Sequence, residues 1–177
     1  MIYYFVPYST EKNLGKYYND CLELIPDGCW ACFIDGDAMC TTSNFGHQLE
    51  EIIKEHKDFD LFTCMTNRVG TKYQCIDGAW EIEDMNTHRN MGKFLQLNKR
   101  LEVEDITNNA PLSGVLMLVK KSAWSASQKF KEAGLLGIDN SIHYAIRNIG
   151  GKVGLMKGFY VQHYYRSGNI NDNKHLK

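Results

Sequence analysis

The apolar run Cys29-Trp30-Ala31-Cys32-Phe33-Ile34 stops abruptly at Asp35-Gly36-Asp37, and this junction restricts the fold more than any other part of the chain. A short continuous apolar run reads as a strand buried on both faces, as central strands of α/β sheets are. Such a strand carries no charge in its interior, so the two carboxylates fall at its carboxyl end, at the sheet edge where open α/β sheets bind ligands. Gly36 removes a side chain between them. A ligand can then approach the backbone, and both acids can reach one hard cation through oxygen. Asp-Gly is also a common turn dipeptide, and a solvated turn accounts for the tripeptide equally well at this point.

The flanking segments supply the rest of an α/β fold. Residues 2–8 are apolar, aromatic and β-branched, stop at Pro7 and Ser9, and read as a first strand. Leu14, Tyr17, Tyr18, Cys21, Leu22 and Ile25 recur at helical spacing until Pro26-Asp27-Gly28. A second helix, capped by Ser43 or Asn44, carries the stripe Phe45, Leu49, Ile52 and Ile53. Leu61-Phe62-Thr63-Cys64-Met65 is a third strand. Right-handed crossovers turn that strand and helix order into a parallel sheet flanked by helices. Residues 67–90 lack a sustained period and read as a mobile loop. Beyond it the pattern predicts a helix near 91–103, a strand over 115–119, helices near 123–133 and 140–148, and short strands over 153–156 and 159–162. These lead into His163-Tyr164-Tyr165-Arg166, so one domain is expected over 1–166, followed by a polar tail, 167–177.

Composition narrows the partners. The length of 177 residues fits a single core, and a net charge of −1 gives no electrostatic footprint for nucleic acid, which is not expected as a partner. No run has the length of a transmembrane segment, and Met1-Ile2-Tyr3-Tyr4-Phe5-Val6-Pro7 lacks a basic start and a cleavage site, so the expectation is a cytoplasmic protein. The six cysteines raise a zinc or disulfide reading, chiefly at Cys29-Trp30-Ala31-Cys32. Cys40, Cys64 and Cys75 follow without a second close pair to complete a tetrahedral site, so buried free thiols in a reducing compartment are expected.

Three segments together resemble the nucleotide-sugar-dependent glycosyltransferases of family 2 and their relatives, which share the GT-A fold. Val6-Pro7-Tyr8-Ser9 with Asn13-Leu14-Gly15 and Asn19 is similar to the family's opening strand and the Asn-x-Gly stretch ahead of its acidic motif. Trp30 to Asp37 is similar to its hydrophobic strand and DxD. Ser113-Gly114-Val115-Leu116-Met117, then Gly137-Ile138-Asp139-Asn140-Ser141, Gly150-Gly151-Lys152-Val153 and His163 are similar to its acceptor-side strand, catalytic carboxylate segment, last core strand and late histidine. Family members usually place another strand and about two helices between the opening strand and the Asn-x-Gly stretch. This chain therefore looks like a minimal GT-A-like, Rossmann-related member, which implies an α/β fold with a mixed, mainly parallel central sheet, shortened on the N-terminal side where part of the nucleotide base is held.

The resemblance implies a division of labour. Asp37 and His163 would hold Mn²⁺ or Mg²⁺, an imidazole favouring manganese, to neutralise the departing pyrophosphate of a nucleoside-diphosphate sugar, with uridine the expected base. Asp35 would lie nearer the ribose or in the metal's outer shell, with Pro7, Tyr8, Ser9, Asn13, Gly36 and Gly114 completing the nucleotide-sugar site. Asp139 would act as general base in an inverting transfer to a saccharide or lipid-linked acceptor. Competing readings stand beside these roles. His163 could be a hydrogen-bonded structural residue, Asp139 the N-cap of its helix, and Gly114 an ordinary strand-entry glycine. Trp80, Glu81, His88 and Arg89 fall where acceptor contacts are expected, although Trp80 could equally be a loop anchor. Arg166 could face the diphosphate. The shortened front leaves room for a partner subunit, or a second copy, to complete the donor site or bring it near a membrane. A non-catalytic nucleotide- or glycan-binding module and a nucleotidyltransferase are the alternatives, the latter lacking a glycine-rich, basic loop after the first strand.

Overall fold

The computed structural model describes residues 1–165; Arg166 and the tail 167–177 lie outside the described residues. Strand β1 (Ile2–Phe5) leads through helix α1 (Leu14–Leu24) to β2 (Trp30–Ile34), and β1 and β2 pair in parallel. A short β3 (Ala38–Cys40) and α2 (Phe45–Glu55) precede β4 (Leu61–Thr66). Then come α3 (Met85–Lys99), β5 (Val103–Asp105), β6 (Leu116–Lys120), α4 (Lys121–Ala126), α5 (Ile138–Asn148) and the long β7 (Val153–His163). No helix among the described residues is long and apolar enough to cross a membrane.

The strands form a seven-stranded mixed sheet in the order β1-β2-β6-β4-β7-β3, with β5 on the edge of β7. The α/β architecture follows the expectation, but the mainly parallel pairing does not. Only β1 with β2 and β4 with β7 pair in parallel. The reason is β6, which enters between β2 and β4 running against both. In addition, β3 and β5 each fold back antiparallel onto β7. β1, β2, β4 and β7 nevertheless share one direction, so their carboxyl ends lie along one edge.

Both faces of the sheet are covered. Tyr18 and Leu22 of α1, Trp124 of α4, and Ile142 and Ile146 of α5 pack on one face, against Ala31, Phe33, Met117 and Val119. Leu49 and Ile52 of α2 pack on the other, against Trp30, Cys32, Leu116 and Leu118. The residues of β2 and β6 thus alternate between two apolar layers, which is why both strands read as unbroken hydrophobic runs. The cysteines follow the same logic. All six are free, and Cys21, Cys32 and Cys64 are buried as small hydrophobes.

β7 is one strand rather than two. Its first part pairs with Leu61 to Cys64, its last part with Met65 and Thr66, and the register jumps from Met156 to Tyr160 in between. At that bulge Gly158 faces the carboxyl end of α3, where an added Cβ would overlap the Lys99 carbonyl oxygen. The bulge lets β7 bend past α3 and continue beside β3. The expected helix over 91–103 starts earlier, at Met85, where Asp84 caps it by accepting from the Thr87 amide at 2.7 Å. The helix expected over 123–133 is confined to α4, and irregular chain from 127 to 137 leads to α5.

That irregular chain is locked to α1 at Gly15. Backbone contact leaves no room for a Cβ there, since it would lie 1.9 Å from the Lys131 carbonyl oxygen. Asn19 adds polar bonds, accepting from the Trp124 indole and the Phe130 amide, at 2.9 and 3.0 Å. Gly15→Ala should therefore lower stability by about 1–3 kcal/mol as the two segments are forced apart. Urea denaturation followed by tryptophan fluorescence measures it, and an unchanged midpoint would contradict this packing.

Candidate functional site

Asp35 follows the last residue of β2 and stays on the sheet. Its amide donates to the Val115 carbonyl at 3.1 Å, and its own carbonyl accepts from the Ala38 amide at 3.0 Å, closing a turn from which β3 departs. The turn and the acidic site are thus one object, since the turn is what presents both carboxylates. Gly36 is exposed at its tip, where an added Cβ would make only an ordinary 3.6 Å contact with Val6. Its contribution is openness rather than relief of a clash.

β3 pairs antiparallel with the end of β7, placing Ala38 opposite His163. The His163 Nε2 then lies 3.3 Å from an Asp37 carboxylate oxygen, while Nδ1 lies 2.6 Å from the Arg68 carbonyl. A carbonyl only accepts, so Nδ1 carries the hydrogen and Nε2 of the neutral ring holds a lone pair aimed at a carboxylate. Two acceptors facing each other need a positive species between them, either a proton on Nε2 or a cation. One ligand atom each from Asp35, Asp37 and His163 lie within 4.8 Å of one another. Two carboxylates and an imidazole lone pair suit Mn²⁺ or a similar divalent ion with open positions for other ligands.

The electrostatics reflect the crowding. Burial pushes the half-buried Asp35 up to about 6, helped by Asp37 and Asp139 and opposed by His163. The hydrogen bond to His163 holds Asp37 below its usual value against partial burial. Burial alone would lower His163, but the bonds to Asp37 and the Arg68 carbonyl, with the charges of Asp37 and Asp35, outweigh it and raise the ring.

Asp139 lies in the first turn of α5 but is not its cap. That position belongs to Gly137, in the left-handed region at φ 73°. The N-cap alternative is thereby replaced by a different arrangement, in which one Asp139 carboxylate oxygen accepts from the Gly114 amide and the other from the Asn140 amide, both at 2.9 Å. Burial nonetheless dominates and raises the carboxyl above its ordinary value, against the amides of Asn140 and Gly114. A carboxylate so placed keeps basicity that an exposed one lacks. At Gly114 an added Cβ would stand 3.0 Å from the Asp139 Cβ, a tight contact that would push the aspartate back by a few tenths of an ångström.

Asp35, Asp37, Gly114, Asp139 and His163 line one cleft of about 440 Å³, with the exposed Leu136 on its wall. A recess of about 140 Å³ shares Asp35, Gly114 and Asp139 and includes Tyr18 of α1 in its lining. Tyr8, Ser9 and Asn13 are not brought to this cleft. They line a separate groove of about 270 Å³ with Lys16 and Tyr17. There the Ser9 hydroxyl accepts from the Asn13 amide at 3.0 Å, and Asn13 caps α1 by accepting from the Lys16 amide at 3.2 Å. Pro7 is half-buried just beyond β1 and lines neither.

The expected acceptor residues divide. His88 is fully buried, with its ring nitrogens at 2.7 Å from the Tyr160 hydroxyl and 3.0 Å from the Ile82 carbonyl, so it is structural and corrects the acceptor reading. The Trp80 side chain is exposed rather than packed on the core as a loop anchor would be, and only its carbonyl is engaged, accepting from the buried Arg68 guanidinium. Glu81 and Arg89 are exposed.

Sequence reasoning missed three residues of the 67–84 segment that frame the site. Asn67 and Arg68 hold His163. Gln74, fully buried, accepts from the Ser113 amide at 2.7 Å and donates to the Thr63 hydroxyl at 2.9 Å, fixing the strand entry beside Gly114. In the sequence they look like ordinary polar loop residues, and only their burial distinguishes them. Comparison with protein-family models finds no match, and no curated protein matches the chain.

The paired charges make the metal-free protein pH-sensitive. His163 is raised above its ordinary value of about 6.5, so its stabilisation is complete below that value and is lost as pH rises through the folded pKa. Asp37 is lowered, so its contribution is present above about 4 and disappears as pH falls through its folded pKa. Asp35, being raised, adds a loss of stability as pH climbs past about 4 towards its folded value. Thermal melts in EDTA should show the wild-type midpoint falling from about pH 6 to about pH 8, with His163→Gln flattening the fall. Equal slopes in both proteins would contradict the His163 assignment.

Proposed function

We propose that the chain is a metal-dependent glycosyltransferase of GT-A-like architecture, moving a sugar from a nucleoside-diphosphate donor, UDP being the preferred nucleotide, to a saccharide or lipid-linked acceptor. The observation that carries this reading is the meeting of Asp35, Asp37, Asp139 and His163 in one cleft, from elements as far apart in sequence as β2 and β7. Their order along the chain is the order on which its resemblance to family 2 glycosyltransferases rests. A cation bound by Asp37 and His163 would supply Lewis-acid neutralisation of the leaving diphosphate.

The chain's own groups do the rest. Asp37, at the exposed tip of its turn, and the Nε2 of His163 face the same space and orient the diphosphate end of the donor. Asp35 lies deeper, where its raised pKa makes it a hydrogen-bonding partner for ribose or sugar hydroxyls rather than the strongest cation ligand. Asp139, raised by burial and steadied by the Gly114 amide, accepts the proton of the acceptor hydroxyl as that oxygen attacks the anomeric carbon. The Gly114 and Asn140 amides each hold one carboxylate oxygen and so fix the orientation of Asp139 in the wall of the cleft.

A second reading, a nucleotide- or glycan-binding module without turnover, is favoured by one observation. The Ser9 and Asn13 polar groups are engaged at the start of α1 and line a groove apart from the acidic cleft. Base recognition would then fall to a partner or a second copy.

Under the catalytic reading, Asp37→Ala abolishes Mn²⁺-stimulated hydrolysis or transfer from UDP-sugars while the far-UV circular dichroism spectrum is retained. Asp139→Asn lowers transfer by about 10²- to 10⁴-fold and leaves donor binding intact. UDP–Mn²⁺ binding by calorimetry without any turnover in the wild type would favour the binding module. Undiminished turnover in Asp37→Ala would sink the metal-dependent assignment.

A further inference from the structure

His163 reaches the acidic cleft at the place where the sheet stops supporting it. The parallel pairing of β4 with β7 ends at Thr66 opposite Val161. On the other side of β7 the antiparallel ladder to β3 continues through the Tyr164 amide, which donates to the Asp37 carbonyl at 2.8 Å. In an antiparallel ladder the hydrogen-bonding groups of successive residues point to opposite sides. The amide and carbonyl of His163 therefore face away from β3, towards the space beyond the end of β4.

Asn67 fills that space. The residue is 1% exposed, its Oδ1 accepts from the His163 amide at 2.7 Å, and its Nδ2 donates to the His163 carbonyl at 3.2 Å. A carboxamide carries the same donor and acceptor as a peptide group, so Asn67 extends β4 by one imitation residue. Arg68 follows directly. Its carbonyl receives the His163 Nδ1 hydrogen, and its guanidinium is held by the Trp80 carbonyl and an ion pair with Glu83 at 3.8 Å. The far face of the imidazole stacks on Tyr165, with ring centroids 5.6 Å apart.

We propose that Asn67 is a positioning residue which, with the Arg68 carbonyl, presents His163 to the acidic cleft as the Nδ1–H tautomer and so keeps the Nε2 lone pair directed at Asp37. The proposal rests on the metal-site reading for its purpose but not for its geometry. Without Asn67 the His163 backbone loses both partners beyond the last β4 pair. The ring is then free to leave the Arg68 carbonyl and take the other tautomer. Outer partners of this kind fix the tautomer and orientation of ligating histidines, and their loss typically costs about 10- to 100-fold in metal affinity.

The test uses the full chain labelled with ¹⁵N-histidine, free of metal, at a pH where imidazole is neutral. Nitrogen–proton correlation spectra should show His163 of the wild type as the Nδ1–H tautomer alone. In Asn67→Ala the signal should move towards a mixture of tautomers, and calorimetric titration with Mn²⁺ should show an affinity at least about tenfold weaker. A protein that merely lost stability would melt earlier yet keep the tautomer and the affinity of its folded fraction, and that result would overturn the proposal. A wild-type His163 in the Nε2–H form would overturn it with no variant needed, so a failure of Asn67→Ala to fold does not shield it. Wild-type protein that shows the Nδ1–H form but binds no Mn²⁺ would instead remove the metal reading and leave the positioning role standing.

Discussion

Two hydrogen-bond acceptors, the His163 Nε2 and an Asp37 carboxylate oxygen, face each other 3.3 Å apart, and much of the molecule is arranged to hold them there. Their approach depends on β7, whose first part is fixed in the core between β4 and β5 and whose last part lies beside β3. The bulge between Met156 and Tyr160 joins the two parts and steers the strand past α3. A metal-free protein meets the conflict with a proton on the imidazole, and a divalent cation offers the alternative. The same contact therefore governs the charge balance and the pH response of the cleft.

The other half of the cleft depends on β6. By entering between β2 and β4 in the opposite direction, it brings its own beginning, rather than its end, to the edge where β2 and β4 finish. The amide of Gly114, just before it, then donates a hydrogen bond to Asp139 of α5, at a point where an added Cβ would crowd the aspartate. Gln74 pins the same strand entry from the other side. The antiparallel strand that departs from a parallel plan is thus the element that adds a third carboxylate to the two at the end of β2.

Much of this was legible in the residues. α1, α2, β2 and β4 could be read because apolar spacing and helix stops are local signals, and Asp35 and Asp37 because charge at the end of a buried strand is conspicuous. His163 and Asp139 were reached only through the order of motifs, and the fold does bring them to the same cleft. β3 and β5 were hidden because three residues are too few to show a period. Pairing direction is not legible there, because it is set by which strand inserts between which, a long-range choice that no window of sequence carries. His88 misled because a buried histidine satisfied by Tyr160 and Ile82 looks, in sequence, like any histidine near a loop. Asn67 and Gln74 escaped notice because their importance lies in replacing peptide groups, which composition does not reveal. The Tyr8, Ser9 and Asn13 segment was found as a motif but folds into a helix start with its own groove.

The central claim, that Asp37 and His163 share one divalent cation, is tested most directly by pulsed electron paramagnetic resonance on the protein with stoichiometric Mn²⁺ and UDP. With ¹⁵N-histidine labelling, the account predicts a directly coordinated nitrogen on Mn²⁺ in the wild type, and its disappearance in His163→Gln while the sheet remains folded. Mn²⁺ that binds with no histidine nitrogen in its coordination sphere, or a nitrogen signal that survives the loss of His163, would contradict it.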